Sequence, residues 1–302
     1  MADHDLKSID DGAKKRVVIQ RNPTSGSGRG GQQIRILARE LKSAGYQVRL
    51  FANRDRLDEF LAQPKIHTDV ACLVAAGGDG TVASLAHRHP EFPIATLPLG
   101  TENLVARHLQ IPRCGRTVAK LIQKNVTRTF DTGFVDDQRF LLMVSAGLDA
   151  EVVRRLSSVR SGNISHVSYV WPILQSFLGY KGPVVDVHND TGDVTASGTH
   201  VVVTNIGEYG FRMKFCPDAD PQDGLLDVRV FTKRGRIRTI LHALRVKLGF
   251  ADRVDDVIRF QATSVELRST GAAPVQFDGD PAGQCPVKIR IDPQSMKLIV
   301  NE

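Results

Sequence analysis

The chain has 302 residues, of which 41% are hydrophobic and 24% are charged, and its formal net charge at pH 7 is +7. This length can bury a sizeable core in two domains, whereas no uninterrupted apolar run approaches the roughly 18 residues of a membrane span, so we expect a soluble or at most peripheral protein. The positive charge favours anionic partners such as nucleotides, phospholipid headgroups or nucleic acid, without choosing among them.

The N-terminus and the cysteines bear on where the protein works. Residues 1–15 are polar and charged, which predicts a disordered tail without the apolar core of a signal peptide. The cysteines lie far apart and form no C-x-x-C pair, so the case for zinc or disulfides is weak. We therefore expect a cytoplasmic protein, peripheral at most at the inner face of the membrane.

The first half of the chain alternates strands and helices. Strands are predicted over 16–20, 47–52, 70–74 and 93–97, and helices over 32–44, 56–62, 82–87, 103–109 and 115–124. This alternation with short loops predicts a doubly wound parallel sheet covered on both faces. Glycine-bearing loops follow the first, third and fourth strands, and we expect these loops to converge because ligands bind beyond the carboxyl ends of such strands.

The first of these loops matches G-x-G-x-x-G at Gly26, Gly28 and Gly31. A dinucleotide site would need an acidic residue at the end of the second strand, about 20 residues further on, and Asp55 comes too late for that role. A phosphate-binding loop of another kind is favoured, and a flexible surface turn is the alternative.

The second loop, Gly77-Gly78-Asp79-Gly80-Thr81, follows the buried strand at 70–74. Glycines permit close approach to the backbone, so the loop offers bare amides to phosphate oxygens and the Asp79 carboxylate to a magnesium ion. The alternative is a tight strand-to-helix turn in which Asp79 caps the helix.

The second half of the chain is richer in extended segments. Strands are predicted over 128–135, 139–145, 183–188, 199–205, 225–232, 256–268, 286–291 and 296–300. We therefore expect a disordered tail over 1–15, an α/β domain over 16–127, an antiparallel β domain over 128–290, and a C-terminal strand over 291–302 that returns to the first domain. The site is expected between the two domains.

Two acidic turns in this half could contribute to chemistry. Asp278 and Asp280 flank a glycine, so they could divide the roles of base and metal ligand, or they could simply form a D-G hairpin turn. The loop 218–227 could hold magnesium or calcium through carboxylate and carbonyl oxygens, or it could be a solvated turn.

Two predicted helices could contact lipid. The segment 233–250 has an apolar face and many basic residues, which suits an anionic bilayer surface, although core packing with a solvated basic face is favoured. The segment 167–180 concentrates large apolar residues, and it could shape an acyl-chain pocket or be a core helix.

Six motifs follow one another along nearly the whole chain: Asn22-Pro23-Thr24-Ser25-Gly26, Gly77-Gly78-Asp79-Gly80-Thr81, Pro98-Leu99-Gly100-Thr101-Glu102-Asn103, Ser145-Ala146-Gly147-Leu148-Asp149-Ala150, Asp223-Gly224-Leu225-Leu226-Asp227 and Asp278-Gly279-Asp280. In this order and spacing they resemble the diacylglycerol kinase catalytic-domain family, in particular the soluble bacterial lipid kinases related to sphingosine kinases. The resemblance implies an NAD kinase-like α/β domain that binds ATP, followed by an antiparallel β-sandwich.

The resemblance also implies roles for individual residues. The proton acceptor would be Asp280, or Asp278 beside it. A structural magnesium would be held by Asp223 and the carbonyls of Asp220 and Leu225, and Asp79 and Asp131 would complete a carboxylate network around a catalytic magnesium. The implied nucleotide-binding residues are Asn22, Ser25, Gly26, Gly77, Gly78, Asp79, Gly80, Thr81, Val82, Ala83, Ser84, Gly100, Thr101 and Asn103.

By this resemblance we expect an ATP- and magnesium-dependent kinase for a hydroxyl of a membrane-derived lipid, such as diacylglycerol or a sphingoid base. It would act transiently at an anionic membrane surface and would have no nucleic-acid partner.

Three positions depart from the family pattern. Asp280 stands where bacterial relatives usually have Glu, Ala83-Ser84 replace a common Asn-Glu pair, and a common Thr is replaced near Phe51. These departures leave open a catalytically weak lipid-binding or regulatory protein. An NAD kinase-like enzyme shares the glycine loop and is the other alternative, disfavoured by the missing Asn-Glu pair.

Overall fold

The computed structural model describes residues 16–23, 30–159, 182–209, 213–232 and 256–301. The predicted N-terminal tail, residues 24–29 of the first glycine loop and the predicted helices at 167–180 and 233–250 lie outside the described residues. The chain divides into unit 1 (Met1–Thr101, Leu109–Arg128 and Lys297–Glu302) and unit 2 (Glu102–His108 and Thr129–Met296).

The elements follow in chain order. Up to residue 124 they are β1 (Arg16–Arg21), α1 (Gly30–Ser43), β2 (Gln47–Phe51), α2 (Arg54–Leu61), α3 (Pro64–His67), β3 (Val70–Gly77), α4 (Asp79–Arg88), β4 (Ile94–Pro98), α5 (Leu104–His108) and α6 (Gly115–Lys124). They continue with β5 (Thr127–Val135), β6 (Gln138–Phe140), β7 (Met143–Ala146), α7 (Leu148–Val159), β8 (Val185–His188), β9 (Val194–Gly198), β10 (His200–Thr204), β11 (Glu208–Tyr209), β12 (Met213–Lys214), β13 (Leu226–Phe231), β14 (Val257–Ala262), β15 (Ser264–Ser269), β16 (Pro274–Phe277), β17 (Asp280–Gln284) and β18 (Val287–Ile299).

Unit 1 contains a parallel sheet in the order β2, β1, β3, β4, completed by the C-terminal end of β18. Its register places Ile19 of β1 beside Val74 of β3, and Val74 beside Ala95 of β4. Every residue of β4 and all but one residue of β3 are buried, which requires cover on both faces of the sheet. The predicted α/β class is therefore confirmed for this half of the chain.

Helices α1 and α6 approach closely because Gly115 has no side chain. A Cβ atom on Gly115 would lie 2.2 Å from the carbonyl oxygen of Gln33 and 2.8 Å from the nitrogen of Leu37. The Gly115 N–H also donates a hydrogen bond of 2.8 Å to Oε1 of Gln33. The apolar face of α1 is buried as its spacing predicts, through Ile34, Leu37 and Leu41.

Unit 2 contains antiparallel sheets. One set of strands runs in the order β18, β15, β8, β9, and β5 pairs with both β18 and β6. A second sheet runs in the order β14, β13, β10, β7, β16, β17. Strands β11 and β12 form a small separate pair.

The two sets of strands share one core, which makes unit 2 a sandwich. Val187 of β8 and Leu267 of β15 belong to the same buried cluster as Val203 of β10 and Val228 of β13. Side chains from two packed sheets that interdigitate in this way are typical of a β-sandwich. The predicted antiparallel β class of the C-terminal half is confirmed.

Several element boundaries differ from those predicted. The predicted strand at 256–268 is two strands, β14 and β15, separated by Thr263. The segments predicted as separate strands at 286–291 and 296–300 are one strand, β18, because Gln294 takes up the irregularity after Pro293 with a φ of +51°. Among the elements of the described residues, those that were not predicted from the sequence are α3, α7, β9, β11, β12, β16 and β17. Within the described part of the chain, no helix is both long and apolar enough to cross a membrane.

Candidate active site

The loops after β1, β3 and β4 meet at the carboxyl end of the sheet in unit 1. The Asn22 N–H donates a hydrogen bond of 3.2 Å to the carbonyl oxygen of Ala76. The N–H groups of Leu99 and Gly100 donate to the carbonyl oxygen of Gly77, over 2.8 and 3.2 Å. The structure thus brings together the described parts of three of the six motifs.

Gly77 has no room for a side chain. A Cβ atom there would lie 2.1 Å from Oγ1 of Thr81 and 3.3 Å from Cβ of Asn22. A Cβ atom on Gly80 would meet no atom of the described residues within 4 Å. The two glycines therefore differ: Gly77 permits the loops to pack, whereas Gly80 leaves open space beside the backbone, as a bound phosphate would need.

Helix α4 starts inside this loop. Gly78 is its N-cap, without a side-chain hydrogen bond, and Asp79 is its first helical residue. The alternative in which Asp79 caps the helix is therefore wrong. The amino end of a helix of ten residues carries partial positive charge, which favours an anion next to Gly80 and Thr81.

Arg113, which was not predicted as a site residue, fixes the third glycine loop. Its Nε donates to the carbonyl oxygen of Pro98 over 2.9 Å, and its Nη2 donates to that of Gly100 over 2.5 Å. A single arginine in an irregular segment has no local pattern that marks such a contact. Its role follows only from the fold, which places it against the loop 98–100.

In unit 2 the buried side chain of Asp131 joins two segments that are distant in sequence. Asp131 is 1% exposed. Its Oδ2 accepts a hydrogen bond of 2.7 Å from the Gly224 N–H, and its Oδ1 accepts one of 2.7 Å from the Gln294 N–H. Its own N–H donates to the carbonyl oxygen of Pro221. These contacts hold the acidic loop 218–227 beside β5 and β18.

The acidic loop is a tight turn with its own internal hydrogen bonds. Oδ1 of Asp220 accepts from the Gln222 N–H over 3.0 Å, and Oδ1 of Asp223 accepts from the Leu225 N–H over 2.9 Å. Gly224 has a φ of +74°, a left-handed conformation that favours glycine. Burial raises the pKa of Asp227 at the end of the loop.

The oxygen atoms that this loop offers are of the type that magnesium prefers as ligands. They are a carboxylate from Asp223 and carbonyl groups from Asp220 and Leu225, and hard divalent cations prefer oxygen ligands. Among the described residues, no group of three or more His, Cys, Asp and Glu side chains is arranged to hold a metal. A magnesium site here would therefore depend on backbone carbonyls and water as well as on Asp223.

Asp278 and Asp280 lie on the hairpin between β16 and β17. Phe277 pairs with Asp280, and the two central residues, Asp278 and Gly279, have φ values of +49° and +90°. This is the two-residue hairpin turn with left-handed central residues that D-G sequences favour. The D-G hairpin that we considered at this position is therefore confirmed.

The two acids of the hairpin have different surroundings. Oδ2 of Asp278 accepts a hydrogen bond from the Leu141 N–H over 2.7 Å. Its Oδ1 accepts from the N–H groups of Leu142 and Met143, over 2.8 and 3.1 Å. Asp280 is exposed. Asp278 thus anchors the hairpin to the β6–β7 turn, whereas Asp280 lies at the surface of unit 2.

The remaining candidate residues are distributed between the units. Val82 is buried in α4, and Ala83 and Ser84 are partly buried in the same helix. Thr101 is exposed in unit 1, and Asn103 is a buried residue of unit 2 with a φ of +51°. Ser25 and Gly26 lie outside the described residues.

Family models match both halves of the chain. The diacylglycerol kinase catalytic domain matches residues 16–135, and the YegS C-terminal NAD kinase beta sandwich-like domain matches residues 142–300. A diacylglycerol kinase of Mycobacterium tuberculosis (strain CDC 1551 / Oshkosh) is 24% identical over 293 residues, which is 94% of each chain. A diacylglycerol kinase of Bacillus subtilis (strain 168) is 24% identical over 278 residues, 90% of this chain and 92% of that protein.

A solved structure agrees with this assignment at the level of the fold. A crystal structure from Bacillus anthracis str. Sterne, assigned as a diacylglycerol kinase, covers 99% of both chains with a TM-score of 0.74 and 21% identity. The resemblance stated from the motifs is confirmed. The chain belongs to the diacylglycerol kinase catalytic-domain family, with a YegS-type C-terminal domain.

Proposed function

We propose that this protein transfers the γ-phosphoryl group of ATP to a hydroxyl of a membrane-derived lipid, such as diacylglycerol or a sphingoid base, with magnesium. The observation that carries the proposal is the convergence of the loops after β1, β3 and β4 in a chain of this family. Phosphoryl transfer depends on positioning and charge stabilisation more than on covalent chemistry, and such loops supply backbone donors for that purpose.

ATP would bind along the glycine loops of unit 1. The open space beside Gly80 and the amino end of α4 suit the phosphates, and Asn22, Gly77 and Gly100 shape the surrounding backbone. We propose that all the nucleotide-binding residues implied by the resemblance, including Ser25 and Gly26, contact ATP. Asp79, in the first turn of α4, would belong to the carboxylate network around a catalytic magnesium ion.

A bound magnesium ion would offset negative charge on the phosphates. Asp223 and the carbonyls of Asp220 and Leu225 would hold a structural ion in unit 2. Asp131 already accepts a hydrogen bond from the Gly224 N–H of this loop through Oδ2, and one from the Gln294 N–H of β18 through Oδ1. We therefore assign to Asp131 the role of positioning the loop, which supports its place in the proposed carboxylate network.

Asp280 would accept the proton from the lipid hydroxyl, because its carboxylate is exposed whereas that of Asp278 receives three backbone hydrogen bonds. The lipid would reach the site from an anionic membrane surface. The net charge of +7 supports such a transient contact, since anionic headgroups attract a basic protein.

The test is transfer of labelled phosphate from ATP to a lipid extract, with identification of the product by mass. NAD⁺ is offered in a parallel reaction, and nucleotide binding is measured by calorimetry. We expect a labelled lipid that depends on magnesium. Labelled NADP⁺ without a labelled lipid would support the NAD kinase alternative, and nucleotide binding without any transfer would support a regulatory protein. Either result would overturn the proposal.

A further inference from the structure

The hairpin that carries Asp280 is connected to a buried polar cluster in unit 2 through one side chain, Gln276. This residue lies on β16, is 0% exposed, and stands beside Ser145 of β7 in the sheet register. A buried amide inside a sheet is costly unless its polar atoms are paired. The hydrogen bonds of the Gln276 amide therefore indicate its structural role.

Both ends of the Gln276 amide have partners. Oε1 accepts a hydrogen bond of 2.9 Å from the Gly279 N–H, at the tip of the hairpin. Nε2 donates to Oγ of Ser145 over 2.8 Å and lies 3.3 Å from Oδ2 of Asp149. The side chain thus bridges the catalytic hairpin and the start of α7.

The orientation of the amide is fixed by its partners. The Ser145 hydroxyl donates to Oδ2 of Asp149 over 2.5 Å, so its oxygen is left to accept from Gln276. The backbone N–H of Gly279 can only donate, so the oxygen of Gln276 must face Gly279 and its NH₂ end must face Ser145 and Asp149. The cluster therefore selects one of the two possible amide orientations.

The far side of the cluster is closed by His200. Its Nδ1 lies 3.4 Å from Oδ1 of Asp149, and neither atom has a hydrogen-bond partner among the described residues. Gly147, with a φ of +127°, allows this approach, since a Cβ atom there would lie 3.0 Å from Nδ1 of His200 and 2.7 Å from the carbonyl oxygen of Thr199. Asp149, in the first turn of α7, therefore has His200 of β10 on one side and Gln276 of β16 on the other.

We propose that Gln276 is a positioning residue for phosphoryl transfer: it holds the hairpin tip at Gly279 and so orients the adjacent carboxylate of Asp280 toward the substrate hydroxyl. Asp149 and Ser145 fix the orientation of its amide. Asp278 anchors the same hairpin from its other side, through the amides of the β6–β7 turn. The inference rests on the proposed function, because it assigns Gln276 to the step in which Asp280 acts.

The test compares substitutions on the two strands of the hairpin. Gln276→Leu removes the hydrogen bonds of the amide to Gly279, Ser145 and Asp149. Gln276→Glu keeps an acceptor for the Gly279 N–H but places an oxygen against Asp149. Gln284→Leu is the matched control, because Gln284 is exposed on β17 of the same hairpin. The readouts are kcat and KM for lipid phosphorylation, and hydrogen exchange of the hairpin peptide.

We expect Gln276→Leu to lower kcat by about 10- to 100-fold, because small errors in placement cost rate at this scale. KM for ATP should stay within about twofold. Hydrogen exchange at the hairpin tip should accelerate in Gln276→Leu. The kcat and exchange rate of Gln276→Glu should lie between those of Gln276→Leu and the wild type, and those of Gln284→Leu should match the wild type.

A double variant separates positioning from a merely structural role. If Gln276 acts through Asp280, then adding Gln276→Leu to Asp280→Asn should lower residual turnover no further, since the two residues serve one step. Independent, multiplied losses would overturn the inference, as would wild-type kcat in Gln276→Leu.

Failure of the proposed function can be distinguished from failure of the inference about Gln276. If the wild-type protein transfers no phosphate to lipid, the proposed function fails and the catalytic role of Gln276 is overturned with it. Active wild type together with an unaffected Gln276→Leu variant overturns only this inference. Unchanged hydrogen exchange at the hairpin in Gln276→Leu overturns the structural basis in either case.

Discussion

The Gly224 N–H donates a hydrogen bond of 2.7 Å to Oδ2 of Asp131, although the two residues are 93 positions apart in the chain. This contact, together with that from Gln294 to Oδ1, ties the acidic loop to β5 and β18. The geometry of the loop, and of any magnesium ion that it holds, therefore depends on one buried carboxylate.

Asp131→Asn should destabilise the protein by about 1–3 kcal/mol, because one buried N–H would face an NH₂ group instead of an oxygen. Urea denaturation measures the change. Asp137→Asn, an exposed change in the turn between β5 and β6, is the control and should have little effect. If Asp131→Asn is as stable as the control, the buried carboxylate does not hold the loop.

Gly77 and Gly80, two glycines of the loop around Asp79, should respond differently to alanine. Gly77→Ala should lower the free energy of unfolding by about 1–3 kcal/mol, because its Cβ would overlap Oγ1 of Thr81. Gly80→Ala should leave stability unchanged or raise it by about 0.5–1 kcal/mol, because alanine favours a helix. Gly80→Ala should nevertheless weaken ATP binding, since its methyl group enters the open space beside the loop.

Thermal denaturation and calorimetric titration with ATP test this pair. Wild-type ATP affinity in Gly80→Ala would show that the nucleotide does not lie against this turn of α4. Wild-type stability in Gly77→Ala would show that the contact with Thr81 relaxes at no cost.

His200 should make stability depend on pH. Burial lowers the pKa of His200 in the folded protein, and the nearby Asp149 carboxylate opposes this shift in part. At acidic pH the unfolded chain therefore binds more protons than the folded protein. The contribution of neutral His200 to stability is present above about pH 6.5 and is lost as the pH falls through the pKa of His200 in the folded protein.

Replacing the imidazole with a neutral amide in His200→Gln should reduce this loss on acidification. Urea denaturation from pH 8 to pH 5 measures it. His87→Gln is the control, because His87 is exposed on α4. Equal acid sensitivity in the wild type and in His200→Gln would show that His200 does not contribute.

Elements and turns formed by neighbouring residues could be predicted, because the sequence patterns that specify them span only a few positions. Glycines after buried strands predicted the loops of unit 1, and the D-G pair indicated the hairpin at Asp278. Alternation of strands and helices predicted the parallel sheet. These patterns depend on neighbouring residues, so no knowledge of the fold was needed.

The contacts that organise the site could not be predicted, because they join distant parts of the chain. Gln276 and Ser145 are 131 positions apart, and Asp131 and Gln294 are 163 apart. Arg113 binds the backbone carbonyl groups of Pro98 and Gly100, and a backbone carbonyl is present in every residue, so the sequence does not indicate which ones an arginine contacts. The sequence analysis also grouped Asp278 with Asp280, and only the fold shows that one carboxylate anchors the hairpin while the other is exposed.

The most direct test of the account is γ-phosphoryl transfer to a lipid hydroxyl by variants of Asp280, measured beside the wild type with labelled ATP. Asp280→Asn should lower kcat by about 10²- to 10⁴-fold at unchanged stability, as removal of a general base does, and Asp280→Glu should keep most of the activity because it restores the acid common in relatives. Asp278→Asn should lose stability as well as activity, since its carboxylate holds three backbone amides. Wild-type rates of lipid phosphorylation in Asp280→Asn would contradict the account.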